Sequence, residues 1–197
     1  MSESFPDLQI TEEPLPYNDR LEQRDTGKLD LIVLHCTELP TLQLAREFGE
    51  RIVLPETQTG FSGHYYVDRD GKIYQYVQDD RIARHVIGHN QNSLGIEIVN
   101  LGRFPNWFHS THQTCSEPYT LEQVDSVQNL LHLLKHRYPR IRQIARHSDL
   151  DTTWIPAEDD PLVQIRRKVD PGPLFPWEEI SSWWADLCKA FEVNGRS

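Results

Sequence analysis

The stretch that decides the fold is a nearly continuous apolar run, Leu29-Asp30-Leu31-Ile32-Val33-Leu34-His35. Such a run is typical of a strand that is covered on both faces. It ends on a histidine, so we expect the His35 side chain at the edge of a sheet, where α/β folds place their chemistry. Neighbouring side chains of an extended chain point to opposite faces, and we therefore expect Cys36 in the core.

A second histidine follows a second strand-like run. Residues 141–147 read Ile-Arg-Gln-Ile-Ala-Arg-His, which predicts a strand that ends at His147. Asp170 reaches the same edge from a loop whose next three residues, Pro-Gly-Pro, leave the backbone few alternatives. Two imidazoles and one carboxylate can form a zinc site whose fourth position is open to water. The residues alone are equally compatible with two structural histidines and a turn aspartate.

The other runs predict an α/β fold, with a single domain in which helices flank a central mixed β-sheet. We expect an irregular lead-in over 1–28, the domain over 29–191 and a tail over 192–197. The predicted elements are a helix over 41–52, a hairpin over 64–77 that turns at Asp68–Gly71, a strand over 94–99, a helix that begins after Thr120 and a helix over 176–191.

Two polar side chains fall within or beside these strands. Glu97 shares a strand face with Gly95 and Val99, and a carboxylate in so apolar a strand is costly unless it is paired or functional. The alternative is an edge strand with Glu97 in water. His64 begins the hairpin, where a structural role and a role in substrate binding are both open.

Five segments occur in an order that points to a known family. They are Ile32–Thr37 (IVLHCT), Ser62–Gly71 (SGHYYVDRDG), Ser93–Ile98 (SLGIEI), Arg146–Asp149 (RHSD) and Lys168–Pro173 (KVDPGP). In this order they resemble the zinc-dependent N-acetylmuramoyl-L-alanine amidases of the amidase-2 and peptidoglycan recognition protein family. The resemblance runs from about Leu29 to Trp184. It implies the amidase-2 fold and cleavage of the amide between muramic acid and L-alanine.

The resemblance also implies roles for particular residues. Zn2+ is expected on His35, His147 and Asp170, where it would make hydroxide available at neutral pH. The resembled amidases keep a glutamate and a lysine where this chain has Glu97 and Lys168. Glu97 is therefore the expected general base and later proton donor, and Lys168 is expected to stabilise the oxyanion.

Substrate contacts are expected from residues around this site. In the resembled family a histidine at the position of His85 lies beside the catalytic cleft, which makes His85 a candidate for contacting substrate. Several basic residues lie close to the expected metal edge, and they either hold anionic substrate groups or form a solvated patch. They are Arg140, Arg142, Arg146, Arg166, Arg167 and Lys168, of which Arg146 is the substrate-binding candidate.

Composition narrows the partners and the compartment. The net charge of −10 argues against nucleic acid, because a phosphate backbone needs a Lys/Arg surface. The N-terminus shows no secretory pattern, no apolar run is long enough to span a membrane, and the three cysteines show no close pairing. These features favour the reducing cytoplasm. They point to the branch of the family that recycles 1,6-anhydro-muropeptides, with intact peptidoglycan as the open alternative.

Two other functions remain open at this point. Members of the same superfamily can bind peptidoglycan without cutting it, although the presence of all three expected metal ligands counts against a binding module. A zinc hydrolase of unrelated amides would show the same sequence features.

Overall fold

A six-stranded mixed sheet forms the centre of the protein in the computed structural model, which describes residues 8–194. The strands of this sheet are β1 (Ile10–Glu12), β2 (Leu31–Cys36), β3 (Tyr65–Val67), β4 (Ile73–Gln75), β5 (Ser93–Ile98) and β6 (Gln143–Arg146). The helices are α1 (Leu42–Gly49), α2 (Leu121–Arg137), α3 (His147–Leu150) and α4 (Trp177–Asn194). A separate antiparallel pair is formed by β7 (Trp154–Pro156) and β8 (Gln164–Arg166).

The strands of the central sheet lie in the order β1-β4-β3-β5-β2-β6. Only β3 and β4 pair in antiparallel fashion, and all other neighbours are parallel. All six residues of β2 are buried, as expected of a strand in the middle of a parallel region. The predicted fold class, an α/β domain with a central mixed sheet, is confirmed.

The two faces of the sheet differ in character because side chains alternate along each strand. On one face, Leu34 of β2 and Ile96 of β5 join a core cluster with Leu130 of α2 and Trp184 of α4. Cys36 is 4% exposed, so the prediction that it lies in the core is confirmed. The opposite face carries His35, Ser93, Gly95 and Glu97, and it is the face on which the candidate site is built.

The longer helices begin where the sequence predicts. The Thr120 hydroxyl accepts from the backbone N–H of Gln123, whose side chain accepts in return from the Thr120 backbone, and this capping box fixes the start of α2. Thr41 caps α1 in the same way through the N–H of Leu44. Within residues 8–194, no helix has the length and apolar character needed to cross a bilayer.

Several element boundaries differ from the predictions, and one of them is the end of α1, which lies at Gly49 and not at residue 52. Within residues 8–28 of the predicted lead-in, β1 pairs with β4, and Leu15, Tyr17 and Leu21 are buried. Helix α4 continues past 191 to Asn194, while residues 1–7 of the predicted lead-in and 195–197 of the predicted tail lie outside the described residues. His147 begins α3 and does not end the strand before it, although it stays at the same edge of the sheet.

Candidate metal centre and cleft

The register of three parallel strands brings the candidate residues into one row. His35 of β2 is the direct partner of Glu97 of β5. On the other side of β2, Leu34 is the partner of Arg146, the last residue of β6, so His147 follows immediately beside His35. The carboxyl ends of parallel strands meet at one edge, and this edge therefore presents Glu97, His35 and His147 side by side.

Asp170 joins the row from the loop that follows β8. The backbone N–H of Ser148 in α3 donates to the carbonyl of Asp170 at 3.0 Å and holds the loop against the edge. Gly172 has φ +87, a region that favours glycine, and a Cβ there would lie 3.1 Å from the sulfur of buried Cys115. The Pro-Gly-Pro sequence thus fits a loop whose backbone lies close to the side chain of Cys115.

Three donor atoms converge in a small triangle. The Nδ1 atoms of His35 and His147 are 2.9 Å apart, and Asp170 Oδ2 lies 3.2 Å from the first and 3.0 Å from the second. Ligands at about 2.0–2.1 Å from a tetrahedral Zn2+ would be separated by about 3.3 Å. Within residues 8–194 this is the one group of three His, Cys, Asp or Glu side chains close enough to share an ion.

The protonation of the cluster suits a cation. Burial, with a contribution from neighbouring His147, lowers the pKa of His35 to about 4, so the ring is neutral at pH 7. Burial raises the pKa of Asp170, but the neighbouring His147 outweighs burial and holds that pKa well below its usual range. Asp170 Oδ1 is buried and has no hydrogen-bond partner within residues 8–194. A divalent cation fits this donor set.

Glu97 lies next to the triangle. Its Oε1 atom is 4.0 Å from Nδ1 of His35, and only 15% of its side chain is exposed. In the protein without a cation, burial raises the pKa of Glu97 to about 8; the charge of Asp170 also raises it and Lys168 lowers it. The edge-strand alternative does not describe Glu97, because β5 lies between β3 and β2.

Lys168 supplies a positive charge on the same side. Its half-buried side chain lines the same cleft as the triangle and makes no hydrogen bond or ion pair with any other residue of the described chain. An ammonium group with three unused donors is available to an oxygen atom of a bound molecule.

The triangle lies in a cleft of about 760 Å³. Many of the lining residues are apolar, among them Phe48, Val53, Leu54, Phe61, Ile87 and Phe108. The charged lining residues include the cations Arg51, Arg84, Arg167 and Lys168 and the acids Glu38, Glu97 and Asp170. A cleft of this size, with apolar walls and a few polar groups at its base, is typical of a site for an organic ligand.

The three expected substrate contacts lie in different places. His85 lines the cleft, and its Nδ1 is 3.0 Å from Nε2 of His35. His64 is fully buried and outside the cleft lining; its Nδ1 accepts from the N–H of Gly95, and its Nε2 faces the carbonyl of Arg81. Its ring therefore presents no surface to a substrate.

Arg146 also lies outside the cleft. Its guanidinium group pairs with Asp149 through two hydrogen bonds of 2.9 Å and lies over the ring of Trp177 at 5.2 Å. These contacts with Asp149 and Trp177 give the Arg146 side chain structural partners within the chain. Of the six basic residues near this edge, Arg167 and Lys168 line the cleft.

Sequence reasoning missed two residues that shape the site, Ser93 and Gly95. Both lie on the β5 face that carries Glu97, and a Cβ at Gly95 would lie 2.7 Å from the ring of His85. The signal was present in the sequence, since small residues at alternate positions before Glu97 leave room on that face for another side chain.

Comparison with known proteins defines the class. A family model described as N-acetylmuramoyl-L-alanine amidase (Amidase_2) matches residues 25–173. The chain belongs to this family. Among curated relatives, the 1,6-anhydro-N-acetylmuramyl-L-alanine amidase AmpD of Haemophilus influenzae is 25% identical over 176 residues, which cover 78% of this chain and 82% of AmpD. The N-acetylmuramoyl-L-alanine amidase AmiD of Escherichia coli is also 25% identical, over 199 residues that cover 90% of this chain but only 63% of AmiD.

Solved structures show the same fold. A selenomethionine derivative of AmpD superimposes with a TM-score of 0.62 at 24% identity, covering 88% of this chain and 93% of that one. AmiD from E. coli, in complex with the substrate anhydro-N-acetylmuramic acid-L-Ala-D-γ-Glu-L-Lys, gives a TM-score of 0.58 at 21% identity, covering 79% of this chain and 57% of AmiD.

Proposed function

We propose that this protein is a zinc-dependent amidase that cleaves the bond between N-acetylmuramic acid, or its 1,6-anhydro form, and L-alanine. The observation that carries the proposal is the convergence of two imidazole nitrogens and a carboxylate oxygen within 3.2 Å of one another, beside a buried glutamate at the base of a cleft. Family membership supports the reaction, and the substrate complex of AmiD supports the class of ligand.

The residues around the triangle divide the chemistry between them. Zn2+ on His35, His147 and Asp170 would supply Lewis acidity toward water and toward the amide carbonyl. Glu97 accepts a proton from the attacking water and returns it to the leaving amine of L-alanine. Lys168 donates to the carbonyl oxygen as negative charge develops there.

Metal analysis combined with product analysis tests the proposal. The purified protein should hold about one Zn2+ per chain and release free peptide from a muropeptide. Asp170→Asn should lose both the metal and turnover, because an amide oxygen is a poor substitute for an anionic ligand. Asp149→Asn, which changes the exposed partner of Arg146, is the matched control and should keep both. Full zinc occupancy in Asp170→Asn would remove Asp170 from the site.

The same measurements separate the competing functions. Zinc binding without turnover on any muropeptide would favour a binding module, and turnover confined to unrelated amides would favour a different zinc hydrolase. Relative rates on anhydro-muropeptide and on intact sacculi decide the preferred form of the substrate. The three cysteines at positions 36, 115 and 188 are free thiols, which supports a cytoplasmic location; cell fractionation tests it.

A further inference from the structure

A chain of hydrogen bonds runs from the metal triangle to the backbone of the loop after residue 83. Nε2 of His35 lies 3.0 Å from Nδ1 of His85, and Nε2 of His85 lies 3.3 Å from Oγ of Ser93. The Ser93 hydroxyl donates to the backbone carbonyl of His89 at 2.7 Å. The chain thus connects a candidate metal ligand to a fixed carbonyl through two side chains.

The direction of every bond in this chain follows from its far end. A carbonyl only accepts, so the single proton of Ser93 points to His89, and Ser93 Oγ must accept from Nε2–H of His85. A neutral imidazole carries one N–H, and in His85 the contact with Ser93 places it on Nε2, so Nδ1 of His85 carries a lone pair. That lone pair accepts from Nε2–H of His35, which leaves Nδ1 of His35 without a proton.

The local structure holds His85 in this position. Gly95 lets the ring lie against β5, because a Cβ there would come within 2.7 Å of the His85 ring atoms Cγ and Nδ1. The side chain of Asn90 accepts from the backbone N–H groups of His85 at 3.0 Å and of Val86 at 2.8 Å. The ring is therefore fixed both by the space that it occupies and by the loop that carries it.

We propose that His85 is a positioning residue that, together with Ser93, holds His35 in the tautomer whose Nδ1 lone pair faces His147 and Asp170. Without this chain, Asp170 Oδ2 at 3.2 Å would attract a proton onto Nδ1 of His35, and that proton would occupy the place of a cation. The proposal rests on the proposed metal site, and it replaces a direct contact between His85 and substrate.

Zinc affinity in a set of matched variants tests the role of His85. His85→Leu removes the acceptor and should weaken zinc binding about 10- to 100-fold, measured by competition with a chelator. His85→Gln retains an acceptor and a donor and should stay within a few-fold of wild type. Gly95→Ala should behave like His85→Leu by displacing an unaltered ring. His89→Ala is the control, because only the backbone carbonyl of that residue takes part.

A second readout separates this proposal from the metal assignment. Long-range ¹⁵N–¹H NMR of the metal-free protein reports which nitrogen of His35 is protonated. Wild type should show the proton on Nε2, and His85→Leu should show it wholly or partly on Nδ1, with unchanged far-UV circular dichroism. If wild type binds no zinc, but the His35 proton still moves from Nε2 in wild type to Nδ1 in His85→Leu, the metal site is overturned and the hydrogen-bond chain stands. An unchanged tautomer and unchanged zinc affinity in His85→Leu would overturn the role of His85.

Discussion

At the scale of single residues, Glu97 shows how position decides chemistry. Its carboxyl group lies on a central strand, 4.0 Å from His35 and 15% exposed, where ionisation has little help from solvent. Burial raises the pKa of this group to about 8, whereas the same burial at Asp170 is outweighed by the neighbouring His147. Two carboxyl groups within one site are thereby suited to different tasks, proton transfer and metal binding.

Replacing Glu97 by glutamine should therefore separate metal binding from turnover. Glu97→Gln keeps the shape of the side chain and leaves the three expected ligands in place, so zinc content should match that of wild type. The rate constant for hydrolysis should fall by about a hundredfold or more, since the variant has no proton acceptor. Single-turnover kinetics on a muropeptide, paired with metal analysis, provide the measurement. Glu47→Gln, on the exposed side of α1, should leave both unchanged, and a near-wild-type rate in Glu97→Gln would assign the base elsewhere.

The sequence predicted some of these residues for physical reasons. His35 could be predicted because it terminates a fully apolar run, and Glu97 because it interrupts one. Ser93 and Gly95 were not predicted because their roles depend on the His85 ring, which reaches them from a separate loop. No periodicity within β5 specifies that contact.

At the scale of elements, the backbone just before β3 leaves space for the side chain of Glu97 on the neighbouring strand β5. Gly63 lies just before that strand, and a Cβ on Gly63 would lie 2.7 Å from Cγ of Glu97 and 3.2 Å from the carbonyl oxygen of Gly95. Because Gly63 has no side chain, the backbone entering β3 can lie close to β5 and still leave room for the side chain of Glu97.

Gly63→Ala should consequently displace the Glu97 side chain. We expect turnover to fall at least tenfold while zinc content is kept, because the methyl group meets Glu97 and none of the three expected ligands. Gly49→Ala is the matched control: it is also a buried glycine, and its added Cβ would meet its nearest neighbour, Leu15, at an ordinary 3.5 Å. Steady-state kinetics and metal analysis of the two variants test this, and equal activity in both would show that Glu97 tolerates the displacement.

The strands show where prediction from sequence ends. β2 and β5 are six residues long and almost entirely buried, and their apolar residues predict them directly. β1 is three residues long with two exposed positions, and it exists because it pairs with β4 at the edge of the sheet. Short polar strands of this kind depend on a partner distant in sequence, so their own residues carry little signal.

At the scale of the whole molecule, one buried ion pair connects the segment after β2 with the segment that leads to Asp170. Arg103 is 0% exposed and lies in the irregular segment between β5 and α2. Its guanidinium group makes a two-point pair with Glu38, at 2.7 and 3.0 Å, just beyond the end of β2. It also donates to the carbonyls of Arg166 and Arg167, each at 3.1 Å, in the segment that leads to Asp170.

Removal of Arg103 should destabilise the protein far more than removal of an exposed ion pair. In Arg103→Leu, Glu38 would keep a buried charge without its partner, and we expect the free energy of unfolding to fall by about 3–5 kcal/mol in denaturant titrations. Lys189→Leu breaks the exposed pair with Asp186 and should cost at most about 1 kcal/mol.

The double variant Glu38→Gln/Arg103→Leu shows where the cost arises. It should recover part of the stability lost in the Arg103→Leu single variant, because Glu38→Gln removes the charge that would otherwise be buried alone. Arg103→Leu should also weaken zinc binding, since the carbonyls of Arg166 and Arg167 lose the group that fixes the path to Asp170. A stability loss in Arg103→Leu no larger than in Lys189→Leu would show that the segment carrying Asp170 is held in place by its other contacts, such as the bond from Ser148.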